Sequence, residues 1–130
     1  MRLAASRYGY SFPCTDGTDP AAEVCVVTKP WGHGTWQIRY IDAMDVFDSF
    51  GTTPMRIDNV TQSAVFNFQN TTSGEVSQVW MENPATLLYK YELLSRLQVH
   101  GVAFWTAEGA GVGNRTDASM WAGLHSFGRI

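Results

Sequence analysis

The stretch NPATLLYKYELLSRLQVHGVAFW, residues 83–105, decides the fold. Asn83 supplies an N-cap side chain, and Pro84 follows at the first helical position, where a missing N–H costs nothing. Leu87, Leu88, Tyr91, Leu94 and Leu97 recur at helical intervals and predict one apolar stripe. Gly101 ends the turn after this helix. Val102, Ala103, Phe104 and Trp105 then form a continuous apolar run, the pattern of a strand covered on both faces. A glycine-rich loop over 108–114 leads to a last helix with Met120, Trp121, Leu124 and Phe127 on its inner side. Helix, buried strand, loop and helix in that order predict an α/β sheet or barrel.

Upstream, residues 64–68 and 75–81 read as two strands joined by the polar segment QNTTSG, a segment suited to a hairpin turn. Residues 37–50 place Tyr40, Met44 and Phe47 at helical spacing with Ile41 beside them, which predicts a short amphipathic helix ending before Gly51. Asp42, Asp45 and Asp48 fall on its opposite, solvated face and carry no functional weight. At the start, residues 3–12 read as one strand ending in aromatics, and 13–29 as a long loop. The chain shows no internal repeat and no low-complexity tract.

The 130 residues, 45% of them hydrophobic and 13% aromatic, suffice for the core of one domain. A net charge of -3 with nine Lys and Arg gives no basic field for a phosphate backbone, so nucleic acid is not an expected partner. No apolar run approaches the ~20 residues that cross a bilayer, and the opening MRLAAS lacks the apolar core of a signal peptide. Neither a membrane span nor a leader is expected. His33, His100 and His125 fall at no zinc spacing, so neither a metal nor a cofactor is expected. The glycines at 109, 111 and 113 follow a strand, but Asn114 stands where the dinucleotide fingerprint requires glycine.

Cys14 and Cys25 are the only cysteines. Their spacing fits either a closed loop in an oxidised compartment or two unrelated thiols. Asn59, Asn70 and Asn114 head Asn-x-Thr triplets and would accept glycan in a secreted chain. Trp105 ends the apolar strand just before an irregular loop. In parallel α/β architectures the carboxyl ends of the strands form the ligand face, where an exposed indole is a platform for a sugar ring, although on the residues alone ordinary core packing is the stronger reading. Tyr8 and Tyr10 end the first strand in the same way.

Taken together, RYGYSFPC with the later Cys25, the run from VFNFQNTTSGEVSQVWMENP to GVAFW, and the closing helix resemble the C-terminal part of family 18 glycoside hydrolases. Among these the chain is most similar to the di-N-acetylchitobiases. The resemblance implies the C-terminal portion of a TIM (β/α)8 barrel: its seventh and eighth strands with their helices, plus a small inserted α+β segment, spanning 1–130 as one partial catalytic domain. It implies action on β-1,4-linked N-acetylglucosamine oligosaccharides by substrate assistance, in which a Glu protonates the leaving oxygen and the substrate's acetamido oxygen attacks the anomeric carbon. Trp105 is then the floor of the cleavage subsite, with Tyr8 and Tyr10 lining its mouth. The disulfide between Cys14 and Cys25 is implied too, as is a lysosomal or secreted location. Two departures stand out: Arg7 replaces an aromatic, and Met81-Glu82 replace a Tyr-Asp pair.

The acid signature D-x-x-D-x-D-x-E finds only a partial echo in DGTDPAAE, residues 16–23, where Ala21 interrupts it. Pro20 removes a backbone donor that a central strand needs, so this is read as a loop and Glu23 is not the general acid. A whole barrel takes about 250 residues. The expectation is therefore a truncated glycosidase, inactive alone, whose exposed strand edges favour association with another chain. The alternative is a non-catalytic, lectin-like carbohydrate binder.

Overall fold

The structure, a computed structural model, describes residues 2–27, 34–111 and 118–127. The elements are β1 (Arg2–Ser6), β2 (Tyr8–Pro13), β3 (Trp36–Arg39), α1 (Tyr40–Phe50), β4 (Arg56–Ile57), β5 (Ala64–Gln69), β6 (Val76–Met81), α2 (Pro84–Arg96), β7 (Gly101–Trp105) and the short α3 (Ser119–Ala122). Single 3-10 turns follow β7 at Ala107–Ala110 and α3 at Gly123–Ser126. The strands form two sheets: a parallel pair β1-β7, and a five-stranded sheet in the order β3-β2-β6-β5-β4 with antiparallel neighbours. Asn114 and His33 lie outside the described residues, as do positions 112–114 of the glycine-rich loop.

α2 forms where its sequence signals place it. The Asn83 side chain accepts from the Thr86 amide and the Thr86 hydroxyl accepts from the Asn83 amide, both at 2.9 Å, a reciprocal capping box in front of Pro84. Such a cap stabilises a helix by about 1 kcal/mol. Its buried stripe is narrower than expected. Leu87, Tyr91 and Leu94 are buried, while Leu88 and Leu97 are 40% and 64% exposed because Thr86 and Ser95 occupy the buried flank.

The expected hairpin is β5 with β6, paired from Ala64↔Met81 to Gln69↔Val76. One face of the sheet carries Ile38, Ala64, Phe66, Val79 and Met81 into the core, where Tyr40 and Ala43 of α1 cover them. Phe47 meets Phe66 edge-on at 5.0 Å, a pair worth about 0.5–1.5 kcal/mol beyond the area it buries. α1 begins at Tyr40, three residues later than the apolar spacing predicts, because residues 36–39 pair with β2. Asp45 and Asp48 are exposed, and Asp42 is bound by Arg39.

Three further expectations are corrected. Residues 3–12 are two strands, since the chain passes at Arg7 from a parallel partner to antiparallel ones. The α+β segment, expected as a small insertion, holds the larger sheet. Finally, β7 is covered on one face only: Val102 and Phe104 turn toward the core, whereas Ala103 and Trp105 are exposed. Continuous hydrophobicity indicated two covered faces, and among the described residues nothing covers the second.

Candidate functional site

The site grows from the crossing at Arg7. β1 runs parallel to β7 in the register Arg2↔Gly101 to Ser6↔Trp105. The next amide, that of Arg7, donates to the Trp105 carbonyl at 3.1 Å, and the Arg7 carbonyl accepts from the Tyr40 amide at 3.3 Å. Tyr8 follows at once as the first residue of β2, so the end of β7 and the beginning of the antiparallel sheet meet within one residue. The turn after β7 is seated there by Gly109, where an added Cβ would stand 2.1 Å from the Arg7 carbonyl oxygen. Only glycine permits that approach.

Arg7 itself is fully buried. Its guanidinium carbon lies 3.3 Å from the centre of the Trp121 ring and 4.5 Å from that of Phe104, so it occupies an aromatic layer where stacking replaces hydrogen bonding. Nε, Nη1 and Nη2 have no hydrogen-bond acceptor among the described residues. Burial lowers the Arg7 pKa from its ordinary value, opposed by Tyr91, and burial likewise raises that of Tyr91. An arginine thus fills the position where the resemblance implies an aromatic, and it packs like one.

Trp105 is 67% exposed. Tyr8 pairs in register with Arg39, whose guanidinium grips Asp42 through Nε at 2.6 Å and Nη2 at 3.1 Å. Asp42 raises the Arg39 pKa, with a smaller contribution from Glu108, which follows Trp105 by three residues. Tyr8, Tyr10 and Phe12 alternate along β2 onto one face of the sheet, with ring centres 5.6 Å and 6.3 Å apart. Register adds Trp80, opposite Tyr10, to the same face. The Arg7–Trp105 backbone bond places Tyr8, the next residue, near the end of β7, with Tyr10 two residues further along; the tyrosines belong to β2 rather than to the strand paired with β7. Arg39 and Trp80 were missed in the sequence, where they read as an ordinary residue within a helix and an ordinary strand residue.

The cysteines form a disulfide, with Cα atoms 5.3 Å apart. The loop it closes lies on the aromatic face of the sheet. The Asn67 amide nitrogen donates to the carbonyls of Ala22 at 2.6 Å and Pro20 at 3.3 Å, and Gln78 donates to that of Glu23 at 3.2 Å. Glu23 is exposed and acts here through its backbone, in keeping with the loop reading of DGTDPAAE. Met81 is buried in the core, and Glu82 accepts from Ser63, Thr86 and Lys90, so this pair is committed to holding the start of α2. Asn59 and Asn70 are exposed in turns. Among the described residues, no group of three or more His, Cys, Asp or Glu is placed to hold a metal ion.

No family model matches the chain. Two curated relatives from Dictyostelium discoideum do: probable di-N-acetylchitobiase 2 is 36% identical over 133 aligned positions, covering 92% of this chain and 34% of the relative. Probable di-N-acetylchitobiase 1 is 23% identical, over 95% of this chain and 36% of the relative. The chain thus spans about a third of the length of the curated relatives it matches. Among solved structures, the Bacillus cereus spore cortex-lytic enzyme SleL superposes with a TM-score of 0.70 at 16% identity, covering 97% of this chain and 25% of that one. A chitinase from Chromobacterium violaceum gives 0.64 at 17% identity, over 95% and 31%. The chitinase-like agglutinin of Robinia pseudoacacia gives 0.67 at 15% identity, over 98% and 32%. The resemblance to family 18 glycoside hydrolases, and within them to di-N-acetylchitobiases, holds over most of the chain.

Proposed function

Starting from a chain similar over nearly its whole length to di-N-acetylchitobiases, we propose that it forms part of the catalytic domain of a glycosidase acting on β-1,4-linked N-acetylglucosamine oligosaccharides. In this reading β1 and β7 are the seventh and eighth strands of a (β/α)8 barrel, and the antiparallel sheet with α1 is an insertion between them. The observation that carries it is the parallel register of β1 with β7, which leaves Trp105 exposed at the carboxyl end of its strand. That end is where barrels of this kind assemble their sites.

The chemistry of such an enzyme is substrate-assisted, with a Glu as acid and the acetamido oxygen as nucleophile. None of the carboxylates of this chain takes the acid's role. Its own residues bind and orient: Trp105 as the floor under a sugar ring, Tyr8 and Tyr10 as the adjoining wall, and Arg39, held by Asp42, as a donor at the rim. The open edges of the β1-β7 pair are the surface on which the remaining strands of such a barrel pair. Glycan on Asn59 and Asn70, like the disulfide, fits a secretory or lysosomal compartment.

The purified chain is expected to leave chitobiose-type substrates uncleaved and to change its tryptophan emission on titration with N-acetylglucosamine oligomers. Trp105→Ala should abolish that change. Turnover by the chain that disappears in Glu23→Gln would overturn the assignment. A second reading, carbohydrate binding without catalysis, is supported by the fold likeness to the chitinase-like agglutinin. Turnover that appears on co-expression with a polypeptide bearing the D-x-x-D-x-D-x-E strand favours the glycosidase, and binding unchanged by that partner favours the lectin.

A further inference from the structure

We propose that Trp80 is a further ligand-contacting residue of this oligosaccharide face, and that the disulfide-closed loop fixes its indole through Gln78 and Asn67. The inference rests on the sugar-binding reading above and extends it to sugar units beyond those over Trp105.

Trp80 faces Tyr10 across the β2-β6 register, so its half-buried ring widens the aromatic row of β2 sideways. One edge of the ring is tied down: Nε1–H donates to Gln78 Oε1 at 2.8 Å. Gln78 has no freedom to turn over. Its Nε2 donates to Asn67 Oδ1 at 2.9 Å and to the Glu23 carbonyl at 3.2 Å, and a flipped amide would set donor against donor at the indole. Asn67, 1% exposed, is polarised in the same sense, with its amide nitrogen on the carbonyls of Ala22 and Pro20.

Those three carbonyls belong to the loop between Cys14 and Cys25, which is held further by Thr52 Oγ1 donating to Pro20 at 2.7 Å and Arg56 Nη2 donating to Glu23 at 3.0 Å. None of these anchors involves Trp80. A half-exposed indole N–H finds water without help, so carrying the ladder on to Trp80 adds nothing to the anchoring. Its effect is to hold an aromatic face at one angle beside Tyr10, and preorganised faces bind flexible ligands with less loss of freedom. Trp80 is thus a contact residue, and Gln78 a positioning residue that acts through it.

Calorimetric titration of the full chain with the N-acetylglucosamine dimer and hexamer tests this. Trp80→Ala should weaken the hexamer by at least about fivefold, the size of a clear interface anchor, and leave the dimer unchanged. Trp80→Phe, which keeps a ring in the same fold, should recover part of the loss. In the unaltered chain the Trp80 indole proton resonance should shift with the hexamer. Gln78→Met should weaken hexamer binding and speed solvent exchange of that proton without moving the Trp105 indole proton. Wild-type hexamer affinity in Trp80→Ala, or an unmoved Trp80 indole resonance in saturated wild-type chain, overturns the inference alone. No binding of any oligomer by the unaltered chain overturns the sugar reading and this inference with it.

Discussion

Replacing Arg7 by Met should stabilise the chain. The guanidinium is fully buried, and its three nitrogens lack acceptors among the described residues. Leaving a buried donor unmade costs about 1–3 kcal/mol. Even at about 1 kcal/mol each, the three nitrogens outweigh the desolvated stacking over Trp121 and Phe104, worth about 2 kcal/mol. Met matches the length of the arginine stem and keeps a favourable sulfur–aromatic contact. The net gain is about 1 kcal/mol or more, or roughly 3–5 °C in the midpoint of a thermal melt for a domain of this size. The assay is circular dichroism on both proteins at neutral pH, with Arg7→Lys as a companion. Lysine retains a charge that burial opposes but loses the planar stack, so it should melt below wild type. A lower midpoint for Arg7→Met would refute the reasoning, for it would show that the guanidinium is a net contributor and that the aromatic layer depends on its charge.

Other outcomes follow from separate parts of the fold. Cys14→Ser with Cys25→Ser, opening a loop of sequence separation 11, should lower stability by about 2–3 kcal/mol, and the unaltered chain under reducing conditions should melt like the variant. Asn83→Ala removes the acceptor of the Thr86 amide and should cost about 1 kcal/mol in denaturant titration with an unchanged m-value. Asp58 has its pKa lowered first by the Thr61 amide and then by the Thr61 hydroxyl. A carboxylate depressed in the folded state contributes stability above its unfolded pKa and loses it as pH falls through the folded one. The advantage of wild type over Asp58→Asn should therefore be present at neutral pH and decline progressively as acid melts are taken below about pH 4.

What the sequence disclosed was local. Asn83, Pro84 and Thr86 lie within four residues of one another, so the start of α2 is legible, as is the β5-β6 hairpin with its short polar turn. The division at Arg7 was not, because apolar and aromatic residues continue through it and the change concerns which strands lie alongside. Residues 37–39 were taken into a helix for the same reason, since their strand character comes from β2, more than twenty residues away. Exposure of Trp105 was hidden by the unbroken run of apolar residues around it. Asn67 and Gln78 show the converse. Polar residues alternating in strands imply a solvated face, yet both are buried, because a loop distant in sequence presents carbonyls to them. Of the proposed ligand face, Tyr8, Tyr10 and Trp105 were marked by their strand-end positions and by resemblance. Trp80 and Arg39 become visible only through register.

The pairing of β1 with β7 also bears on the order in which the molecule assembles. Arg2 aligns with Gly101, so this ladder joins the two ends of the described chain, whereas β5 and β6 are joined by a short turn. Closing so long a loop is entropically slow, and such contacts form after local ones have narrowed the search. The hairpin and α2 should accordingly appear first in a refolding experiment, with amide protection in 101–105 among the last to develop. Because the Trp105 carbonyl gains its Arg7 amide donor only at that final step, a folding intermediate would already display the Tyr10–Trp80 row while Trp105 is not yet in place.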